Sequence, residues 1–309
     1  MAAVAAELHR AGFEVTGSDS NVYPPMSDFL HEQGVDVREG YKPDNLPSDA
    51  LIVVGNALSR GNPELEAAMD RGCVMISLPE LISRRYLTGK CSIVVAGTHG
   101  KTTTTSMIAH ILRCAGRDPG WMLGGIPIDL ESPCWMGSGG EFVIEGDEYD
   151  SVWFDKRPKF FHYQPRIAVL TSVEFDHSDI YPDLKAVEEV FRRFTRLLPR
   201  SGKLIVCGDF PRALTVSRDA LCSVETYGSS AGCDWRIRDM TEPGQEGLRG
   251  EFDSPDGLSG SLERGFPGGH NLKNGLAALA VAHAVGVDIP VATLALSNFR
   301  GVRRRLELL

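Results

Sequence analysis

The chain has 309 residues, 42% of them hydrophobic and 24% charged, and carries a net charge of −9. That length suits two domains, each large enough to bury a core of its own. The acidic balance argues against a nucleic-acid partner, which calls for a basic face. No apolar run approaches the length of a membrane span, and the N-terminus lacks a basic segment leading into an apolar one. The seven cysteines are odd in number, scattered and without a C-x-x-C pair, a usage that fits reduced thiols in the cytoplasm better than a disulfide frame or a metal site.

Met1 to Ala11 places Ala, Val and Leu at helical spacing, and Gly12 closes the run. Phe13-Glu14-Val15-Thr16-Gly17 reads as a short strand ending at Ser18-Asp19. A helix over 27–33, a strand over 51–54, a helix over 64–71 and a strand over 74–77 continue the alternation, which predicts a parallel sheet of Rossmann type. Such a domain has a strand and glycine-rich turn ahead of its first helix. Here the sequence starts at the helix, so an incomplete domain with an open edge or vacant slot is expected.

A second α/β unit begins near 87–90. Its expected elements are a strand over 92–96, a helix over 101–114, buried strands over 141–145 and 166–172, and a strand over 203–207. The segment 183–198 is an amphipathic helix with Val187, Val190, Phe191, Phe194 and Leu198 on one stripe. A polar, glycine-rich region up to 265 reads as antiparallel strands, and helices follow over 271–285 and 291–299. The domains expected are therefore 1–88, Rossmann-like and incomplete, and 89–302, similar to a P-loop NTPase, with 303–309 opening a linker.

The second unit holds the most informative stretch. The apolar run Val94-Val95-Ala96 ends in Gly97-Thr98-His99-Gly100, and Lys101-Thr102-Thr103 opens a helix. Strand, glycine-bracketed turn, Lys-Thr and helix form a cradle for a nucleotide triphosphate: turn amides and the positive helix end face the phosphates. Lys101 reaches the β/γ-phosphates and the Thr102 hydroxyl ligates Mg²⁺. The pattern departs from G-x-x-x-x-G-K-[ST] in having Val95 where the first glycine is usual, and a threonine-rich helix start without a ligand is the alternative.

Glu145 ends an apolar strand, and ligand crevices of open α/β sheets lie beyond the carboxyl ends of strands. There it can sit opposite Thr102 and share its Mg²⁺, or it is simply part of an acidic, solvating turn. His177 follows another strand end, where a polar site role competes with a structural one. Asn271 and Asn274, three apart at the start of the alanine-rich helix, offer donor–acceptor pairs that match an adenine edge or serve as helix caps. Arg303-Arg304-Arg305 is a guanidinium cluster, either solvated or suited to a transferring phosphoryl group.

The stretches 97–105 (GTHGKTTTT), 145–150 (EGDEYD), 173–177 (VEFDH), 268–278 (GGHNLKNGLAA) and 299–307 (FRGVRRRLE) together resemble the Mur ligases of bacterial cell-wall synthesis, in that family's order and over nearly the whole chain. Stretches 17–27 and 147–160 resemble the branch that joins a recycled L-alanyl-γ-D-glutamyl-meso-diaminopimelate tripeptide to UDP-N-acetylmuramate. The branch that adds L-alanine to the same nucleotide is the alternative. A nucleotide-binding remnant that binds ATP without ligating is a second one.

The resemblance implies that ATP phosphorylates the muramoyl carboxylate and that an amine displaces phosphate to form the amide. It implies ATP contacts at Gly97, Thr98, His99, Gly100, Lys101, Thr102 and Thr103. It further implies Mg²⁺ ions held by Thr102, Glu145 and His177, adenine contacts at Asn271 and Asn274, and a phosphate contact at Arg305. Lys101, Glu145 and His177 are thus the implied catalytic set. Asp19 resembles a uridine contact and Asn56 lines the same crevice, while Arg157 and Lys159 are assigned to substrate carboxylates from charge alone. Some members carry a carbamylated lysine after the histidine motif, where this chain has Arg192 and Arg193, in keeping with the muramate-ligating branches. A third, C-terminal domain is also expected in the family beyond residue 302.

Overall fold

The computed structural model describes residues 1–24, 26–130, 132–175, 180–241, 248–264 and 268–303. Two units emerge, Met1–Tyr86 with Tyr149–His162 and Leu87–Glu148 with Tyr163–Leu309. His177 and Arg305, both singled out in the sequence, lie outside the described residues.

In the first unit α1 (Ala2–Arg10) leads to β1 (Thr16–Asp19), α2 (Met26–Glu32) and β2 (Asp36–Glu39). Then come β3 (Ile52–Val54), α3 (Pro63–Asp70), β4 (Met75–Ser77) and α4 (Leu78–Ile82). Helix α3 starts where its local chemistry dictates: the Asn62 side chain accepts from the amides of Glu64 and Leu65, at 3.0 and 3.1 Å, and Pro63 takes the first helical position. The parallel pairing expected from the alternation is present, but as two separate two-stranded sheets, β1 with β2 and β3 with β4. Strand β1 starts three residues later than the apolar run suggests, because the Phe13 amide bonds back to the Leu8 carbonyl at the end of α1. The apolar cluster here is small, centred on Val54, Leu65 and Val152.

The second unit is built on one ten-stranded sheet. Its first elements are β5 (Cys91–Ala96), α5 (Lys101–Cys114), β6 (Gly120–Met122), β7 (Cys134–Trp135) and β8 (Glu141–Gly146). The hairpin of β9 (Asp150–Val152) and β10 (Asp155–Pro158) belongs to the first unit. After it come β11 (Ile167–Leu170), α6 (Leu184–Thr195), β12 (Lys203–Cys207), α7 (Pro211–Ser217) and β13 (Ser223–Gly228). Strands β14 (Trp235–Thr241), β15 (Leu248–Asp253) and β16 (Ser259–Arg264) precede α8 (Gly269–Ala284) and α9 (Ile289–Asn298). The order is β16-β15-β14-β13-β12-β11-β5-β8-β6-β7.

Strands β6, β8, β5, β11, β12, β13 and β14 run parallel, while β7, β15 and β16 are antiparallel additions at the two edges. The polar stretch before residue 265 is thus only partly antiparallel: β13 extends the parallel sheet, and β14 pairs parallel to β13 and antiparallel to β15. Strand β5 has β11 on one side and β8 on the other, so successive strands depart from it in opposite directions. That makes it the switch point at whose carboxyl end an open sheet forms its crevice.

One face of this sheet packs on α5 and α8. Ile93, Val95, Val143 and Val169 join Ile108, Ile111, Leu276 and Leu279 in a continuous core. Helix α8 is buried along nearly its whole length, which accounts for its alanine-rich, one-sided-nowhere composition. Helix α6 is amphipathic as its spacing predicts, burying Val187, Phe191 and Phe194, with Asp183 capping it through the Ala186 amide at 2.8 Å. Among the described residues no helix is long and apolar enough to cross a membrane.

Phe142, fully buried on β8, fills the space beside Gly120 on β6. Phe142→Ala leaves a cavity there and is expected to cost about 3–5 kcal/mol, read as a lowered urea midpoint of the intrinsic tryptophan signal.

Candidate functional site

The loop between β5 and α5 turns on two glycines whose geometry excludes a side chain. Gly97 has φ +130°, and a Cβ on it would collide with Thr171 Oγ1 and lie 2.8 Å from the Ser172 amide nitrogen. Gly100, at φ +81°, is the residue before α5, and a Cβ there would lie 2.8 Å from Asn274 Oδ1. Both conformations are open to glycine alone at low cost.

The loop is stitched to the segment after β11. The Thr98 amide donates to Ser172 O and the His99 amide to Ser172 Oγ, each at 3.0 Å. Thr171 Oγ1 donates to His99 O at 2.6 Å, and the Glu174 amide donates to Thr98 Oγ1 at 2.9 Å. His99 Nε2 also faces Glu174 Oε2 at 3.3 Å on the exposed side. With those two loop amides engaged, the amides that point outward along the axis are those of α5's first turn, Lys101 to Thr103. Gly100 places no side-chain cap on them.

Glu145 reaches this turn because of strand periodicity. It lies opposite Val95, on the same sheet face as Val143 and two residues further on, so its side chain points to the α5 side. Thr102 Oγ1 donates to its carboxylate, with oxygens at 2.8 and 3.0 Å, and the Gly124 amide donates to Oε2 at 2.9 Å. Lys101 Nζ turns back over the loop, donating to Gly97 O at 2.6 Å and to both oxygens of Glu148, at 2.9 and 3.1 Å. Glu148 and the Thr171–Ser172 pair are site residues that motif reading did not single out. The signal for the pair was its position past the carboxyl end of a buried strand. Glu148 sat in the acidic stretch without a partner to nominate it.

Helix α8 brings Asn271 and Asn274 to the same region, 1% and 8% exposed. The residue before the helix is Gly268 and makes no side-chain cap, so both asparagines sit inside the helix rather than at its cap. Lys273, between them, pairs with Asp209 at 3.2 Å. Asp209 also accepts from the amides and hydroxyls of Ser229 and Ser230, at 2.8–3.0 Å. Burial pushes this carboxyl up, but the four donors outweigh it and hold it well below the usual carboxylate range.

The four remaining candidates lie in the first unit. Asp19 ends β1 and accepts from the Asn21 amide at 3.3 Å and the Tyr41 hydroxyl at 3.4 Å. Asn56 is exposed just after β3. Arg157 forks onto Asp155 at 2.9 and 2.6 Å, which holds that carboxyl below its ordinary range, and Lys159 Nζ lies 6.0 Å from the Tyr149 ring centre.

Comparison with known proteins adds to this geometry. Residues 95–282 match the Mur ligase middle domain, and residues 1–85 match the Mur ligase family catalytic domain. The chain is 40% identical, over 313 aligned residues, to UDP-N-acetylmuramate–L-alanyl-γ-D-glutamyl-meso-2,6-diaminoheptandioate ligase of Escherichia coli strain K12, covering all of this chain and 67% of that one. It is 38% identical to UDP-N-acetylmuramate–L-alanine ligase of Rubrobacter xylanophilus, covering all of this chain and 66% of that one. The crystal structure of UDP-N-acetylmuramate:L-alanyl-γ-D-glutamyl-meso-diaminopimelate ligase from Neisseria meningitides superposes with a TM-score of 0.89 at 36% identity, over 98% of this chain and 96% of that one. This chain belongs to the Mur ligase family. It spans about two thirds of the length of the curated relatives it matches.

Mur ligases are ATP-dependent, which calls for ATP and a divalent cation, and the residues present fit both. Among the described residues no group of three or more His, Cys, Asp and Glu side chains forms a self-sufficient metal cage. One carboxylate beside one hydroxyl is the donor set of a cation that completes its shell with phosphate and water. Thr102 Oγ1 donates a hydrogen bond to Glu145, so a hydroxyl and a carboxylate stand side by side as oxygen donors.

Because the folded Asp209 carboxyl titrates below its unfolded value, its contribution to stability is present above the unfolded pKa, about 3.9. It is lost as pH falls through the folded value. Asp209→Asn is therefore expected to lower the melting temperature at pH 7, and the gap from wild type to close as pH is lowered from 5 towards 2 in a calorimetric series.

Proposed function

We propose that this chain is the nucleotide-binding part of an ATP-dependent ligase that joins L-alanyl-γ-D-glutamyl-meso-diaminopimelate to UDP-N-acetylmuramate in peptidoglycan recycling. The observation that carries the reading is the meeting of Thr102 and Glu145 at the first turn of α5, directly after the glycine loop. The relatives named for this reaction, at 36–40% identity, supply the substrates.

In this reading residues 1–88 hold the uridine nucleotide through Asp19 and Asn56, Arg157 and Lys159 are assigned to substrate carboxylates, and residues 89–302 hold ATP. Asn271 and Asn274 meet the adenine, and the α5 amides and Lys101 meet the β/γ-phosphates. Thr102 and Glu145, with His177 as a further ligand, would hold a Mg²⁺ ion, whose charge would offset that of the phosphates. Arg305 is assigned to phosphate. The muramoyl carboxylate oxygen attacks the γ-phosphorus as ADP leaves, the peptide amine then attacks the acyl carbon, and phosphate and a proton depart. The chain's own part is positioning and charge neutralisation rather than covalent chemistry. The substrates are small molecules and the setting is the cytoplasm, the expectation drawn from seven scattered cysteines without a C-x-x-C pair.

The similarity to the L-alanine ligase of R. xylanophilus sustains a second reading in which L-alanine is the amine substrate. Offering both amines with UDP-N-acetylmuramate, ATP and Mg²⁺ separates the two by the mass of whatever product forms, the tripeptide adduct supporting the first reading and the L-alanine adduct the second. Peptide-dependent phosphate release tests ligation itself. The 309-residue chain is expected to bind Mg²⁺–ATP weakly with little or no peptide-dependent release, and brisk turnover would overturn the reading of it as one part of a ligase. Lys101→Met is expected to weaken Mg²⁺–ATP binding by about a hundredfold, the loss of a charged hydrogen bond to phosphate, as read by isothermal titration.

A further inference from the structure

Lys101 meets a carboxylate where the reading above puts a phosphate. Glu148 presents both oxygens to Nζ, at 2.9 and 3.1 Å, and Gly97 O accepts from the same ammonium at 2.6 Å. The pair is sequestered, the Glu148 side chain being 3% exposed and that of Lys101 13%. The backbone beneath it is anchored, because the buried Tyr181 hydroxyl donates to Glu148 O at 2.5 Å. A carboxylate this far from water is tolerated as an anion only while a cation faces it.

An ammonium carries three N–H donors. In this arrangement they are directed at a carbonyl and a carboxylate, the same two classes of oxygen that a phosphate-binding lysine would trade for phosphoryl oxygens. A polyphosphate reaching Nζ must either displace Glu148 or lie against it, and like charges juxtaposed in a sequestered site are strongly unfavourable.

We propose that Glu148 is a stand-in anion for the nucleotide. It keeps Lys101 folded over the loop between turnovers and competes with the β/γ-phosphates for Nζ, so nucleotide capture is an exchange of partners at Lys101. The same competition limits how tightly ADP is held after phosphoryl transfer. Glu148 acts through Lys101 and is a positioning residue rather than a catalytic one. The inference rests on the nucleotide reading of the loop and adds to it a residue that sets affinity.

The test is isothermal titration of the 309-residue chain with Mg²⁺–ADP and Mg²⁺–ATP, comparing wild type, Glu148→Gln and Glu148→Asp. Glu148→Gln keeps the shape and removes the competing charge, and is expected to bind both nucleotides at least about tenfold tighter. Glu148→Asp restores the charge and is expected to return affinity to within about threefold of wild type. A merely structural role would be damaged by either change, and damage does not tighten binding. Equal or weaker binding by a folded Glu148→Gln variant overturns the proposal while leaving the nucleotide reading intact. Absence of nucleotide binding by wild type overturns both. Should Glu148→Gln fail to fold, Tyr181→Phe loosens the same carboxylate from its backbone side. A smaller gain in affinity supports the exchange, and no gain overturns it.

Discussion

Val95 lies opposite Glu145 on one side and Val169 on the other, and the site depends on that rung of the sheet. The register puts the ends of three parallel strands level with one another, so that the loops after β5 and β11 and the last residues of β8 converge on the first turn of α5. A one-residue slip of β8 would turn Glu145 to the opposite face and deliver Ile144 to Thr102 instead. What fixes the register is apolar: Ile93, Val95, Val143 and Val169 interlock beneath α5 and α8, and the polar groups at the edge inherit their positions from that packing.

The parts legible in the sequence are those where one local signal suffices. Helix α5 and strand β12 have the bounds that their apolar and threonine-rich runs suggest, 101–114 and 203–207. Glu145 beside Thr102 followed from strand ends facing one crevice. Other elements gave weaker signals for identifiable reasons. Strand β2, Asp-Val-Arg-Glu, has one apolar residue, and β13 is exposed at its first two residues, so neither displays the run that marks a buried parallel strand. The grouping of 149–162 with the first unit depends on contacts remote in sequence, such as Val152 with Val54 and Leu65, to which no periodicity points. Glu148 was hidden for a similar reason, since its partner lies 47 positions away.

The two units differ in how they are held together. The second buries a continuous apolar layer between a ten-stranded sheet and its helices, whereas the first relies on two short parallel pairs, one hairpin and a small cluster. Two-stranded sheets are marginal by themselves, so helix caps such as Asn62 and side-chain bridges carry a larger share there. Asn45 illustrates the bridges, donating to Ser18 Oγ, Gly40 O and Glu64 Oε2 at 2.9–3.1 Å and so tying β1 to α3.

The seam between residues 97–99 and 171–174 has a mechanical consequence. Several hydrogen bonds cross it, two of them from amides of the glycine loop, so the two loops are braced as one body rather than hinged separately. A displacement of the first by an arriving anion would therefore carry Thr171, Ser172 and Glu174 with it. The stiffness of the phosphate-side loop is thus borrowed from the end of a neighbouring strand rather than from its own residues.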